Sequence, residues 1–85
     1  MIEVTETATF SPTHCSYETV HEFEYAGKKH RRVFYVGPYH YNYEGWLQIY
    51  RDLLFYKYAR ELDIRPRGFG IESPFVLAGS LEYSI

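Results

Sequence analysis

The side chains best suited to chemistry in this sequence are His14, Cys15, His21, His30 and His40, a basic run at Lys28-Lys29-His30-Arg31-Arg32, and a tyrosine ladder at Tyr39, Tyr41 and Tyr43. A thiol beside a histidine is raw material for nucleophilic catalysis, and His with Cys is a common zinc donor set. The spacing supports neither. Zinc donors come in close pairs such as Cys-x2-Cys or His-x3-His, and adjacent His14 and Cys15 would point opposite ways in a strand. No strand–turn–helix nucleophile elbow surrounds Cys15, and no glycine-rich phosphate loop is present. Glu18, Glu22 and Glu24 fall on one regular strand face beside arginines, which is a structural arrangement. A fold of 85 residues also has little room for a pocket of about 300 Å³ or more. The expectation is a protein that is not an enzyme and holds no metal or cofactor.

Aromatic content is the unusual quantity: 20% of residues, with 10 Tyr and 6 Phe. So short a chain cannot bury that many rings, so some must lie on the surface. If residues 39–43 are extended, Tyr39, Tyr41 and Tyr43 project from one side, with Tyr35 upstream and Trp46 and Tyr50 downstream. Tyr35, Tyr39, Tyr41, Tyr43, Trp46 and Tyr50 are therefore the candidate partner-binding residues, joined by Tyr56 and Tyr58 further along. Exposed Tyr and Trp give large contact area at low entropic cost. The competing reading places these rings in the core.

Lys28, Lys29, Arg31 and Arg32, with Arg65 and Arg67, are candidate phosphate contacts. The competing reading is a solvated turn whose arginines pair with Glu22 and Glu24. Arg67-Gly68-Phe69-Gly70 resembles the opening of the aromatic motif of RNA-recognition domains. The motif then breaks at Ile71, Glu72 and Pro74, and the element order lacks that fold's second helix.

The elements that would position these groups follow from periodicity. Residues 2–10 alternate, with Ile2, Val4, Ala8 and Phe10 on one side and Glu3, Thr5, Thr7 and Thr9 on the other, which predicts a half-buried strand. Residues 17–25 and 30–36 predict a hairpin around Ala26-Gly27-Lys28-Lys29, its register open. Gly37-Pro38 ends the second of these strands. Residues 44–63 predict a helix with Asn42 as N-cap and Glu44 against the dipole. Its apolar residues form two sets, Trp46, Ile49, Tyr50, Leu53 and Leu54, then Leu54, Phe55, Tyr58, Ala59 and Leu62. The second set is rotated by roughly a third of a turn, so one straight stripe on one sheet cannot bury both, and a second chain is a candidate cover. Phe75–Ala78 and Leu81–Ile85 predict two short strands split by Gly79-Ser80. The order β-β-β-α-β-β implies a single α+β domain over residues 1–85: a small, mostly antiparallel sheet with one helix packed on one face.

Composition bounds the rest. A net charge of -2 is no footprint for broad nucleic-acid binding. No apolar run approaches the roughly 18 residues of a membrane span. The start of the chain lacks the basic and apolar regions of a signal peptide. A single cysteine forms no internal disulfide, which fits a cytoplasmic setting. The expected function is a non-catalytic protein-binding module. Its build is that of a small inhibitor or adaptor of the kind phages and mobile elements encode, for example against a host defence complex. The alternative is a nucleotide or single-stranded nucleic-acid binder that stacks bases on the rings and meets phosphates with the basic residues. A homodimer is compatible with either.

Overall fold

The computed structural model describes residues 2–64 and 73–83. The alternating segments become β1 (Ile2–Ser11), β2 (Ser16–Tyr25) and β3 (Lys28–Val36), paired antiparallel in chain order. A single helical turn, α1 (Pro38–Tyr41), the long helix α2 (Glu44–Glu61) and a last strand, β4 (Phe75–Tyr83), follow. β4 runs parallel to β1, giving a four-stranded sheet in the order β3-β2-β1-β4. This is the anticipated α+β class, with one main helix on a largely antiparallel sheet.

Three local features differ from the expected ones. The β2–β3 turn is two residues long, not four. Ala26 (φ 52°) and Gly27 (φ 76°) both take positive φ, which matches the right-handed twist of the flanking strands. Tyr25 therefore pairs with Lys28, Glu24 with Lys29 and Glu22 with Arg31, while Arg32 falls opposite His21 on the other face. Asn42 does not cap α2. It ends α1, and Tyr43 occupies the N-cap without a side-chain hydrogen bond. The two short strands expected near the end are one. The ladder passes Gly79-Ser80 because Val4 pairs with Leu77 and Thr5 with Gly79, leaving Ala78 as the extra residue of a bulge.

The helix stops by a definite mechanism. Asp63 takes φ 53°, the Ile64 amide donates to the Ala59 carbonyl at 2.8 Å, and the Asp63 amide donates to that of Arg60 at 3.3 Å. These are the paired bonds of a Schellman ending, and Ile64 packs back on the cluster that contains Ala59.

Even-numbered residues of β1 and odd-numbered residues of β2 face α2, as the strand period requires. They build two apolar clusters. One holds Val4, Phe23, Phe55, Tyr58, Ala59 and Phe75. The other holds Ala8, Val36, Tyr41 and Leu47. Glu6 and His21, both fully buried, lie between them.

Candidate interaction surface

At about 100° per residue, the side of α2 that carries Leu47, Phe55, Tyr58 and Ala59 packs on the sheet, and all four are buried. Trp46, Ile49, Leu53 and Tyr56 recur at intervals of three, four and three on the opposite side. All four are exposed, from 41% for Trp46 to 65% for Tyr56. Tyr39 and Tyr43 extend the exposed set upstream, at 78% and 59%. The helix thus presents apolar side chains on two faces, and the sheet covers one. This resolves the two rotated apolar sets. The second set is core, while Trp46, Ile49 and Leu53 of the first point to solvent.

The structure divides the tyrosine ladder. Pro38 opens the turn α1, so residues 39–41 follow a helical period and not an extended one. Tyr41 turns inward, is buried, and stacks on Tyr17 with ring centroids 3.8 Å apart. It cannot belong to an exposed contact face, and neither can Tyr58, buried at the centre of the core. Tyr50 is half-buried, its hydroxyl hydrogen-bonded to His40 Nδ1 at 2.8 Å. His40 in turn lies between the rings of Tyr39 and Trp46. Tyr35 is exposed, but strand parity puts it on the far side of the sheet, where its ring meets His14. The residues brought together on one outer surface are Tyr39, Tyr43, Trp46, Ile49, Leu53 and Tyr56. Ile49 and Leu53 were missed as contact residues, because spacing alone does not tell which apolar face of a helix meets its sheet. Beside Tyr56 a shallow depression of about 370 Å³ is lined also by Lys57, Arg60 and Glu61.

The basic residues do not converge. Lys29 and Arg31 lie on the uncovered sheet face opposite Glu24 and Glu22. Lys28 and Arg32 lie on the other face, and Arg32 pairs with Glu61 at 3.3 Å. Arg65, Arg67 and the Arg-Gly-Phe-Gly segment lie outside the described residues.

Sequence reading also missed a buried polar layer. Glu6 stands on the apolar side of β1 by parity, with a side chain fully buried. Arg51 grips it with both arms of its guanidinium, Nε donating to Oε1 at 3.0 Å and Nη2 to Oε2 at 2.6 Å. His21 Nε2 donates to Glu6 Oε1 at 2.8 Å, and His21 Nδ1 is hydrogen-bonded to the Tyr58 hydroxyl at 2.9 Å. Burial alone would raise the Glu6 carboxyl, but the bonds from His21 and Arg51 outweigh it and hold the group at about 2. Burial pushes the Tyr58 hydroxyl up to about 12, with the Arg32 charge opposing. A carboxylate, imidazole and phenol in sequence resemble a proton relay, yet no member reaches solvent. The layer ties β1, β2 and α2 together through these bonds.

The uncovered sheet face is a weaker candidate. Its exposed apolar residues, Val33, Tyr35 and Val76, stand on the two edge strands. Half-buried Val20 stands opposite Val33, but Thr5 and Thr7 of β1 separate that pair from Val76, and Glu18 and Glu22 flank Val20 along β2. Only the α1–α2 surface forms a continuous apolar stripe among the described residues. No helix among those residues is long and apolar enough to cross a membrane. Comparison with protein families, curated proteins and solved structures finds nothing that matches this chain.

Proposed function

We propose that this chain is a non-catalytic protein-binding module of the inhibitor or adaptor type, and that it docks through the outer surface of α1 and α2. The observation that carries this reading is the exposure of Trp46, Ile49, Leu53 and Tyr56 in one line on a helix whose opposite side already fills the core. Large apolar side chains scattered singly are ordinary on a protein surface, but a continuous line of them is characteristic of a contact site. Trp and Tyr are also the residues that most often anchor protein interfaces. The described basic residues are divided between the two sheet faces, with Lys29 and Arg31 opposite glutamates and Arg32 paired with Glu61, which gives a nucleic-acid reading less support. A homodimer is one form the proposed contact can take.

The test is affinity purification from the native host with the wild-type chain and a Tyr43→Ala/Trp46→Ala variant as baits. Loss of captured protein, with an unchanged circular dichroism spectrum, is the expected result. The same proteins captured by both baits would sink the proposal. Tyr43 and Trp46 are both exposed, so their removal leaves the core intact.

A further inference from the structure

We infer that the α2 stripe receives the α2 helix of a second copy of this chain, the two helices running parallel about a two-fold axis. This rests on the protein-binding reading above and names its occupant. The intervals between Trp46, Ile49, Leu53 and Tyr56 are those of the inward positions of a heptad, the a and d sites of a two-helix seam. Trp46 and Leu53 take a, and Ile49 and Tyr56 take d. In that frame Asp52 is g and Lys57 is e, on opposite flanks of the stripe.

Those flanking charges select both occupant and orientation. In a parallel pair, g of one helix lies beside e of the next heptad on the other. Asp52 then meets the partner's Lys57, and symmetry supplies the contact twice. In an antiparallel pair, flank g faces flank g, and the two Asp52 carboxylates approach each other near the axis, which is unfavourable. Among the described residues neither Asp52 nor Lys57 has an ion pair within its own chain, and Asp52 accepts one bond from the Gln48 amide at 2.9 Å. Gly45 holds the preceding g position, and the Tyr43 ring lies against it, 3.5 Å from where a Cβ would stand. Parallel pairing also gathers Tyr43 and Trp46 of both copies at one end, continuing the apolar contact past the helix start. Arg60 takes the next a position and ends the seam: its guanidinium lies 6.0 Å from the Tyr56 ring, and like charge on the two copies keeps the apolar contact from running further.

So short a seam would not hold two free peptides together, because ordering a helix costs more than two heptads return. Here the sheet has already ordered α2, and dimerisation has only to bring two formed faces together. The sheets then lie on the outside, leaving their uncovered faces to solvent.

Sedimentation of the full chain over a concentration series tests the inference, with dimer mass expected at high concentration. Leu53→Asp is expected to be monomeric throughout, with native circular dichroism. Asp52→Lys and Lys57→Asp should each weaken the dimer about tenfold, and the Asp52→Lys/Lys57→Asp double variant should restore it. In a Cys15→Ser background, Ile49→Cys should oxidise to a cross-linked dimer, since parallel pairing places d opposite d. A monomer at the highest concentration overturns the inference, and so does a dimer unaffected by the charge exchange. If the chain is monomeric yet Tyr43→Ala/Trp46→Ala still loses a captured protein, the occupant is a different protein. The protein-binding reading then stands without the homodimer.

Discussion

Glu6 holds the most consequential position in the core. It is a full charge out of water, stabilised by two bonds from Arg51 and one from His21. Its folded value, about 2, lies below its ordinary 4.5. A carboxyl with a lowered folded value binds protons more readily in the unfolded chain. Its contribution is therefore complete above pH 4.5 and lost as pH falls towards 2. The difference corresponds to about 3 kcal/mol. Urea unfolding from pH 6 to pH 2.5 should show that loss in the wild type. Glu6→Gln should be less stable near neutrality by about 3 kcal/mol, because it leaves the Arg51 guanidinium without its counter-charge. It should also lose less on acidification. Parallel pH profiles for the two proteins would exclude this role for Glu6.

At the level of elements, the strands and the long helix were legible and their junctions were not. Period-two alternation fixed β1, β2 and β3, and Pro66 and Arg60 marked the end of α2 within two residues. Gly37-Pro38 ends β3 as expected, but proline also suits the first position of a helix, and Pro38 opens α1 where an extended run was expected. That one alternative turned Tyr41 inward and dissolved the expected ladder. The Glu6 layer was illegible for a different reason. Parity places Glu6 inside, but only partners 15 and 45 residues away make that position tenable. The hairpin carries its own prediction. Ala26 holds φ 52°, where a Cβ is strained and glycine is not. Ala26→Gly should stabilise the protein by about 1 kcal/mol, read as a raised urea midpoint. An unchanged or lower midpoint would show that the turn relaxes this strain.

For the molecule as a whole, the two apolar clusters meet across the Glu6–His21 layer, and Tyr58 joins one cluster to that layer. They should therefore unfold together. Phe75→Ala, deep in one cluster, should cost about 3–4 kcal/mol. Tyrosine signals from Tyr17 and Tyr41 in the other should report the same loss as the backbone signal. Separate transitions for the two probes would show that the layer insulates the clusters.

The parallel pairing of β4 with β1 joins the first described strand to the last. During synthesis every other described element leaves the ribosome before β4 does. Until then β1 is the rim of a three-stranded sheet, and its backbone groups on that side have no ladder. A nascent molecule in that state can accept β4 from a neighbour until its own, tethered copy arrives to outcompete it. Slowing synthesis between α2 and β4 should therefore prolong the exposure of that edge and favour strand exchange.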